Sequence, residues 1–278
     1  MTSARTRGPW PFVAGASVQG REHRARGREN QDAFRAAVSD DGHAIVLAVS
    51  DGAGSQERSS LGSHLAVDVA CQTLTAHVPA QAGQAGLADW QSWLSAAGHG
   101  VVDDYLRIAA ELPGRAATDD ERAATAHSVA ATLTAAVICP PWAAFLSIGD
   151  CFGAVLVAEP PERCYLVLPP PTHSEFTVFL SSSSARARMR SFVVWEPELS
   201  GVMLATDGCA ALALDHPARR GLEPAAGPQP ARGFFVGLAD AVRASDGDAE
   251  PIHRLLSGEQ AERCTDDLTV LCALAAAG

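Results

Sequence analysis

The spacing of hydrophobic residues changes along the chain, and each change predicts a different kind of element. The apolar run Ala44–Ser50 has the length of a buried strand and ends at an Asp-Gly pair. Apolar residues then recur every three to five positions, which predicts a helix over Ser60–Val78. A second helix is predicted over Asp89–Leu112, because Pro113 and Gly114 follow it directly.

Short apolar runs dominate the rest of the chain and predict further strands. The predicted strands are Phe12–Val18, Ala33–Val38, Ala44–Ser50, Thr132–Cys139, Trp142–Ile148, Phe152–Ala158, Cys164–Leu168, Ser191–Trp195, Gly201–Thr206 and Leu268–Leu274. Ala231–Ala244 and Pro251–Leu256 have helical spacing, and the polar stretch Thr118–Ala126 is a loop or a helix extension. This order of elements favours a sandwich of mostly antiparallel sheets.

No linker divides the chain, so we expect a single domain over 1–278, with a core of about 12–275. Pro169–Arg190 is the most irregular stretch, because it contains three prolines and a run of four serines. We interpret it as a mobile surface insertion.

Composition narrows the class of protein. Hydrophobic residues make up 47% of the chain and charged residues 19%, which is typical of a globular protein. No apolar run reaches the roughly 18–20 residues of a membrane span, and no signal peptide is recognisable. The net charge of −11 argues against nucleic acid as a partner. All 21 residues counted as Lys or Arg are Arg, which excludes catalysis by a lysine.

The seven cysteines are scattered and form no C-x-x-C pair. An odd number without such spacing argues against a disulfide framework and against a structural zinc site. We therefore expect a reducing, cytoplasmic location without membrane attachment.

Acidic residues stand at the ends of several predicted strands. Asp51 and Asp207 each follow an apolar run and precede a glycine, while the pair Asp266-Asp267 begins the last apolar run. Asp150 follows another strand and Asp32 precedes one. A single Asp-Gly pair at a strand end is usually a turn. Two matched pairs together with a double Asp favour a functional cluster.

Carboxylates that converge repel one another and need a counter-charge. Lysine is missing, so divalent cations are the natural choice, and oxygen ligands favour magnesium or manganese over zinc. Two such ions about 4 Å apart activate a bridging water and hold a phosphoryl group.

The ordered segments NQDAF, VSDGAGS, S-x-x-G-S, ATL, IGD, ATDG and DDLTV resemble the type 2C metal-dependent protein serine/threonine phosphatases. The resemblance extends from about Ala14 to Leu274 and is greatest to the bacterial branch, in which Gln precedes the first Asp. It implies an α+β fold, an αββα sandwich of two mostly antiparallel β-sheets flanked by helices. It also implies a channel at one edge that holds two divalent cations, manganese or magnesium, and a third in some members.

The resemblance assigns roles to this chain's own residues. Asp51 would bridge both metals and Gly52 would offer its carbonyl to one of them. Asp207 and Asp266 would complete the ligands of the other metal, and Asp32 would hold metal-bound water. Asp150 matches the position that, with Asp207, binds a third ion in some members. Asp267 would support the site, and Gly62 and Ser63 would pack against it.

Some positions depart from the family pattern. An arginine that grips phosphate often stands five residues before the first Asp, where this chain has Gly27. Arg26 and Arg28 flank this glycine and are the candidates for the role, with Arg24 nearby. Gln31 replaces an acidic residue, which would weaken binding of the second metal.

Other candidate residues have an ordinary structural interpretation. Ala53 stands where eukaryotic members have a possible acid. His23 lies in the arginine-rich loop expected between the first two predicted strands and is a surface residue or a proton donor. Cys151 and Cys209 adjoin Asp150 and Asp207 and are interpreted as buried, inert thiols. The arginines of the irregular stretch either recognise a phosphoprotein or are solvated; they are Arg186, Arg188 and Arg190.

The leading hypothesis is hydrolysis of phosphoserine and phosphothreonine in proteins. A hydroxide held between two metal ions would attack phosphorus directly, without a phosphoenzyme. The substrate would be a phosphorylated protein, for which a cognate Ser/Thr kinase or its targets are the expected partners. A pseudophosphatase that binds phosphoproteins without cleaving them is the main alternative. Hydrolysis of a small phosphorylated molecule is a third.

Overall fold

The computed structural model describes residues 1–5, 10–39, 41–79, 85–114, 117–171, 177–217, 221, 223 and 226–276. Its strands are β1 (Thr2–Arg5), β2 (Phe12–Val18), β3 (Asp32–Val38), β4 (Ile45–Asp51), β5 (Leu133–Cys139), β6 (Trp142–Ile148), β7 (Phe152–Val157), β8 (Arg163–Leu168), β9 (Arg190–Trp195), β10 (Leu199–Ala205), β11 (Leu214–Asp215), β12 (Gln229–Pro230) and β13 (Leu268–Leu274). Its helices are α1 (Arg21–Ala25), α2 (Ser59–Leu74), α3 (Leu87–Glu111), α4 (Asp119–Ser128), α5 (Ala185–Arg188), α6 (Ala210–Ala213), α7 (Arg232–Ala244) and α8 (Glu250–Leu256).

Within these residues the strands form two large sheets and one short pair. The six-stranded sheet has the order β1-β2-β13-β10-β7-β8, and the five-stranded sheet has the order β3-β4-β5-β6-β9. The strands β11 and β12 form a separate pair. Every pairing among these strands is antiparallel.

Three hydrophobic cores separate four layers. One core lies between the five-stranded sheet and the helices α2 and α3, and a second lies between the six-stranded sheet and the helices α7 and α8. The third core fills the space between the two sheets. The predicted fold class, an αββα sandwich of antiparallel sheets, is therefore confirmed.

The continuous apolar runs of the sequence are strands that are buried on both faces. In β4, Leu47 and Val49 contribute to the core between the sheets, whereas Val46 and Ala48 contribute to the core beneath the helices. Successive side chains of a strand point to opposite faces, so a strand between two cores needs apolar residues at every position. This explains why the run Ala44–Ser50 lacks the alternation of a half-exposed strand.

The stretch interpreted as a loop or a helix extension forms its own helix, α4. Thr118 caps it, because the Thr118 hydroxyl accepts a hydrogen bond from the Glu121 amide at 3.3 Å. In return, the Glu121 carboxylate accepts a hydrogen bond from the Thr118 amide at 2.7 Å. This reciprocal capping box satisfies two amides that the first turn leaves without partners.

The irregular stretch Pro169–Arg190 packs partly into the domain. Residues 172–176 lie outside the described residues. Leu180 and Ala185 are fully buried in the core beneath α2 and α3, and the Leu180 amide donates to the Ala131 carbonyl at 2.9 Å. The described part of this stretch is therefore not a wholly surface insertion. None of the described helices combines the length and apolar character that a membrane span requires.

A close contact beneath α2 gives a stability prediction. A Cβ atom at Gly62 would lie 1.9 Å from the Val129 carbonyl oxygen. We expect Gly62→Ala to lower the free energy of unfolding by about 1–3 kcal/mol, because the backbone must move to admit the methyl group. Urea unfolding followed by circular dichroism measures this change.

The matched control is Gly100→Ala in α3, where the nearest atom to the added methyl group, Thr73 Cγ2, would be 3.5 Å away. Alanine has a higher helix propensity than glycine, so we expect this substitution to raise the free energy of unfolding by up to about 1 kcal/mol. Equal effects of the two substitutions would contradict the role of close packing at Gly62.

Candidate active site

Five aspartates lie at strand ends along one edge of the sandwich. In the five-stranded sheet, Asp51 ends β4 and pairs directly with Asp32, which begins β3. Asp150 follows the end of β6 in the same sheet. In the other sheet, Asp207 follows the end of β10 and Asp266 precedes the start of β13, and these two strands pair antiparallel. Because antiparallel neighbours alternate in direction, the end of one strand adjoins the start of the next.

Thr132 fixes the backbone of Asp51. The Asp51 amide donates to the Thr132 hydroxyl at 2.9 Å, and the Thr132 amide donates to the Asp51 carbonyl at 2.8 Å. The Ser50 hydroxyl also donates to the Thr132 carbonyl at 2.6 Å. The threonine of the ATL segment therefore anchors the end of β4, which holds the Asp51 side chain at a defined position.

The glycines of both Asp-Gly pairs allow close backbone approach. A Cβ atom at Gly52 would lie 2.5 Å from the Ser59 carbonyl oxygen, at the start of α2. A Cβ atom at Gly208 would lie 2.0 Å from the Asp267 carbonyl oxygen. Each glycine lets another segment of the site pack directly against the acidic strand end.

The Gly52 carbonyl is left without a donor by an unusual hydrogen bond. The Gly52 amide donates to the Gln31 carbonyl at 3.1 Å, and continued pairing of β3 with β4 would return a bond from the Gln31 amide to Gly52. Instead, the Gln31 amide donates to Asp267 Oδ2 at 2.6 Å. No donor among the described residues hydrogen-bonds to the Gly52 carbonyl. A buried carbonyl without a partner suits a hard cation.

Two threonine hydroxyls hold Asp32. Thr206 and Thr269 each donate to Asp32 Oδ2 at 2.7 Å, which joins strands of both sheets through one carboxylate. The pKa of Asp32 is raised to about 8, mainly by burial and also by the nearby Asp267 and Asp207, against the lowering effect of the two hydroxyls. The absence of water, more than any single neighbour, disfavours the charged form.

The remaining carboxylates repel one another in the same way. Burial raises the pKa of Asp51 well above its usual range, and the charges of Asp32, Asp207, Asp266 and Asp150 raise it further. Burial also raises the pKa of Asp207 to about 7, with Asp150 and Asp266 as the acidic neighbours. These aspartates are therefore electrostatic neighbours. A divalent cation among them would favour their charged forms, so the donor set fits hard metal ions.

Asp150 has one carboxylate oxygen free. Its Oδ2 accepts a hydrogen bond from the Thr177 hydroxyl at 2.8 Å, while its buried Oδ1 has no partner among the described residues. Arg190 lies close by, but its guanidinium group donates to the Ser147 hydroxyl at 3.0 Å and the Gly149 carbonyl at 3.2 Å. Arg190 therefore braces the end of β6, and neither interpretation from the sequence, substrate recognition or solvation, describes it. An orphaned oxygen on Asp150 is compatible with a cation ligand.

Three side chains form a tighter group beside these aspartates. One ligand atom from each of His23, Asp266 and Asp267 lies within 4.8 Å of the others. No other such trio occurs among the described residues, so at least one pair of carboxylates among Asp51, Asp207 and Asp266 is farther apart. The spacing of the His23 group permits an ion. Asp267 is less available than this spacing indicates, because its two oxygens already accept three hydrogen bonds from the chain.

The arginine-rich segment forms α1 and a glycine turn instead of a loop. The Gly27 amide donates to the Arg24 carbonyl at 3.2 Å and the Arg28 amide donates to the His23 carbonyl at 3.0 Å. This pair of bonds is a Schellman motif, and Gly27 has the left-handed φ of +65° that the motif needs. The turn places Arg26 and Arg28 in different surroundings.

Arg28 faces the site, whereas Arg26 does not. The Arg28 Nη1 atom donates to the Gly54 carbonyl at 2.6 Å, just beyond the Asp51-Gly52 strand end. Arg28 also lines a cleft of about 520 Å³ together with Gln31, Ser55 and Glu57. Arg26 forms an ion pair with Glu22 at 2.6 Å, and both side chains are largely exposed to solvent.

A second cleft opens beside Asp207 and Asp266. It has a volume of about 660 Å³ and is also lined by Leu212, Arg263 and Cys264. The second cleft therefore exposes two of the five aspartates to solvent, whereas the first is lined by Arg28 and Gln31 and by none of these aspartates.

The buried thiols next to the carboxylates are unreactive. Burial raises the pKa of both Cys151 and Cys209 well above the usual range, and nearby carboxylates raise it further. Their thiolate forms are the nucleophilic species, so both are inert as nucleophiles at neutral pH. This agrees with the interpretation from the sequence.

The family model described as "Protein phosphatase 2C" matches residues 19–253, which is most of the chain. The chain belongs to the protein phosphatase 2C family. The predicted resemblance is confirmed, and membership makes the chain a protein phosphatase of a metal-dependent family. No curated protein sequence matches it significantly.

Solved phosphatase structures share the fold at low sequence identity. The serine/threonine phosphatase Stp1 from Staphylococcus aureus is 13% identical, with a TM-score of 0.61 over 100% of this chain and 98% of that chain. The S. agalactiae serine/threonine phosphatase is 13% identical, with a TM-score of 0.61 over 95% and 98%. Serine-threonine phosphatase 2C from Toxoplasma gondii is 15% identical, with a TM-score of 0.58 over 99% and 98%.

The positions where this phosphatase 2C chain departs from the family have local explanations. An arginine at position 27 would be strained, because the Schellman turn requires the left-handed conformation of Gly27. Gln31 is buried, and its side-chain oxygen has no partner among the described residues. Ala53 is buried as well, and its methyl group cannot donate a proton.

Sequence reasoning missed the hydroxyl groups that support the acidic residues. Thr132, Thr206 and Thr269 lie inside the quoted motifs, so the signal was present, but their partners are remote in sequence. Thr177 lies in the irregular stretch and had no such signal. His23, interpreted as a surface residue or a proton donor, is buried against Asp267.

We predict that the metal-free phosphatase loses stability as pH rises. An unfolded aspartate ionises near its usual pKa of 3.8, whereas folded Asp32 ionises near pH 8, so the folded state binds more protons in between. The free energy of unfolding should therefore fall between about pH 4 and pH 8, by up to about 1.4 kcal/mol per pH unit for each such group. Urea unfolding in chelator at pH 5 and pH 8 measures the slope.

Two variants and the addition of manganese test whether the buried aspartates cause this pH dependence. Asp32→Asn should flatten the slope, because it removes one of the titrating groups. Asp120→Asn, at an exposed position of α4, should leave it unchanged. Manganese should restore stability at pH 8. A metal-free protein whose stability rises over this range would contradict the electrostatic description of the site.

Proposed function

We propose that this phosphatase hydrolyses phosphoserine and phosphothreonine in protein substrates with the help of two divalent cations, manganese or magnesium. The observation that carries the proposal is the convergence of aspartates from strands of both sheets on Asp51, whose pKa is raised by the charges of Asp32, Asp207, Asp266 and Asp150. Such a cluster is unfavourable by itself and becomes favourable once cations bind.

The ligand roles follow from the donors that each residue has available. Asp51, with the unpartnered Gly52 carbonyl, would hold one cation, and Asp51, Asp207 and Asp266 would hold the other. The free Oδ1 of Asp150 would contribute, with Asp207, to a third. Bound cations of this kind offset the carboxylate charges and supply an activated water for direct in-line displacement at phosphorus.

Asp32 would orient water and would not serve as a direct ligand. Its Oδ2 is occupied by the hydroxyls of Thr206 and Thr269, and no described residue donates to its Oδ1. An immobile carboxylate with one free oxygen can accept a hydrogen bond from a water molecule and fix its direction. This would align the attacking water without any rearrangement of the protein.

The role of the phosphate grip would fall to Arg28. Its guanidinium group has five N–H donors, and the bond from Nη1 to Gly54 leaves the others available. Arg28 also lines the cleft beside Gln31. A phosphoryl group bound near Asp51 would therefore lie close to the Arg28 side chain. Arg26 is directed to Glu22 and would contribute little.

The chain's own nucleophiles argue for direct attack by water. Cys151 and Cys209 are fully buried with raised pKa values, so a phosphocysteine intermediate has no suitable thiolate beside the carboxylates. Hydrolysis would then proceed in one displacement, without a phosphoenzyme.

The charge and cysteine chemistry bear on partners and location. The net charge of −11 disfavours nucleic acid, and all seven cysteines are free, as in a reducing compartment. We propose a cytoplasmic phosphatase whose substrates are phosphorylated proteins, either a cognate Ser/Thr kinase or the targets of that kinase. We also propose that residues 1–278 act as a single phosphatase domain.

A binding module without catalysis is the competing proposal, and Gln31 favours it. This glutamine brings no charge to the place where the family pattern has an acidic residue, and its buried side-chain oxygen has no partner among the described residues. A site that binds phosphoprotein but holds metal weakly would result. Calorimetry with manganese separates the two proposals, because the strong form of the binding-module proposal predicts no metal uptake.

We predict manganese-dependent release of phosphate from a phosphothreonine peptide and from an aryl phosphate. Asp51→Asn should reduce the turnover rate at least about a hundredfold, because it removes a charge required for metal binding. The matched control Asp120→Asn changes an exposed carboxylate of α4 and should retain full activity. Malachite green detection of phosphate measures both.

Two results would contradict the proposed function. One is activity that persists in excess chelator, and the other is an Asp51→Asn variant as active as the wild type. Turnover of nucleotides or sugar phosphates in preference to the phosphopeptide would favour the small-molecule alternative.

The two flanking arginines give a matched pair. Arg28→Ala should raise KM for the aryl phosphate about tenfold or more, because it removes a charge-assisted bond to phosphate. Arg26→Ala should change KM less than about twofold, because this side chain forms only an exposed ion pair. Initial-rate kinetics at saturating manganese measure KM for both variants. A larger effect of Arg26→Ala than of Arg28→Ala would assign the phosphate grip to Arg26.

A further inference from the structure

Asp267 is a buried carboxylate that the proposed chemistry does not use. Only 1% of the residue is exposed. Its Oδ1 accepts a hydrogen bond from the Gly20 amide at 2.6 Å, and its Oδ2 accepts one from the Gln31 amide at 2.6 Å. The His23 Nδ1 atom lies 2.8 Å from the same Oδ2, and since an ionised carboxylate only accepts, the imidazole donates. One side chain thus receives three N–H groups.

These donors span the whole arginine-rich segment. Gly20 precedes α1, His23 lies within it, and Gln31 precedes β3, so the carboxylate ties both ends of residues 20–31 to the start of β13. The Glu22 amide adds a bond to the Thr265 carbonyl at 3.0 Å. Gly20 packs so closely that an added Cβ atom would lie 2.3 Å from the Asp266 carbonyl group. The segment is therefore fixed directly against Asp266.

The first consequence concerns Gly52. Antiparallel pairing would direct the Gln31 amide to the Gly52 carbonyl. Because Asp267 takes this amide instead, the carbonyl stays free to bind a cation. Without the carboxylate, the Gly52 carbonyl would be the acceptor that continued pairing of β3 with β4 offers to this amide.

The second consequence concerns Arg28. The Schellman turn that ends α1 fixes the direction of the chain through Gly27. The side-chain Nε2 atom of Gln19 donates to the Arg28 carbonyl. The guanidinium group then reaches the Gly54 carbonyl at 2.6 Å. Movement of either end of the segment would therefore displace Arg28 from the cleft.

We infer that Asp267, together with His23, is a positioning residue that holds residues 20–31 so that Arg28 faces the phosphoryl position and the Gly52 carbonyl remains free. The kinetic part of this inference rests on the proposed phosphatase function. The structural part does not, since it concerns the metal-free chain.

A carboxylate is needed here because three N–H donors converge. Asparagine at this position has one acceptor oxygen, and its NH₂ group would face at least one of the three N–H donors. Asp267→Asn therefore keeps the size of the side chain but breaks at least one bond. His23→Asn offers a donor in the place of Nδ1, whereas His23→Leu offers none.

Limited trypsin digestion of the metal-free protein tests the clamp without any activity. The chain contains no lysine, so cleavage occurs only after arginine, and the segment carries four arginines, namely Arg21, Arg24, Arg26 and Arg28. Asp267→Asn should be cleaved within residues 20–31 on the order of tenfold faster than the wild type, the equivalent of one lost charge-assisted hydrogen bond. His23→Leu should be cleaved faster too, and His23→Asn should resemble the wild type.

Mass spectrometry of the fragments identifies the cleaved bonds, and Asp120→Asn is the control for a lost surface charge. Should Asp267→Asn fail to fold, the pair of His23 variants carries the same comparison. Equal protection of the segment in the wild type, Asp267→Asn and His23→Leu would overturn the inference.

A double-mutant cycle tests the action through Arg28. If Asp267 works by placing Arg28, then Arg28→Ala should add less than about twofold to the KM of the Asp267→Asn variant, although it raises the wild-type KM about tenfold. A merely structural loss would leave the two effects multiplicative, which would overturn the kinetic part. An inactive wild type would refute the proposed phosphatase function, whereas the trypsin comparison would still decide whether the clamp exists.

Discussion

Repulsion among carboxylates at one edge of the sandwich is the constraint on which the rest of this structure depends. Asp32, Asp51 and Asp207 are held where burial and neighbouring charge both favour protonation. Strand ends bearing such groups would separate if nothing else fixed them. Three hydrophobic cores fix them, because β4, β10 and β13 are each buried on both faces and cannot shift without disturbing two cores.

Hydroxyl groups of residues at the strand ends connect the rigid strands to the carboxylates and fix their orientation. The Thr269 amide donates to the Thr206 hydroxyl at 3.1 Å, and the two threonine hydroxyls converge on Asp32. Thr132 does the same for the backbone of Asp51 on the other sheet. Each hydroxyl occupies a place that water would otherwise take. The acidic groups are thereby oriented before any ligand binds, which is the arrangement that electrostatic catalysis requires.

The sequence predicted those parts of the site that depend on strand burial. The runs that lead to Asp51 and Asp207 are apolar at every position before Ser50 and Thr206 because both faces are covered, and this signal is local. The capping box of Thr118 and Glu121 is equally local and distinguishes α4 from a loop. The network around Asp267 could not be predicted this way, because its donors lie 236 to 247 positions away. The different surroundings of Arg26 and Arg28 also depend on tertiary contacts, namely the turn at Gly27 and the Gly54 carbonyl.

The adjacent residues Asp266 and Asp267 show how one strand end serves two purposes. One oxygen of each carboxylate lies within 4.8 Å of one oxygen of the other, but the two carboxylates have different hydrogen-bond partners. Asp266 is half-buried and raises the pKa values of Asp51 and Asp207, which places it among the charges that a cation would neutralise. Asp267 is buried, and its two oxygens accept three hydrogen bonds from N–H groups of the chain itself. A charge satisfied by the protein can hold the segment that carries Arg28 whether or not metal is present, whereas a charge left unsatisfied can bind metal. Of these two adjacent residues, Asp267 thus fixes the segment that carries Arg28, and Asp266 is available to bind a cation.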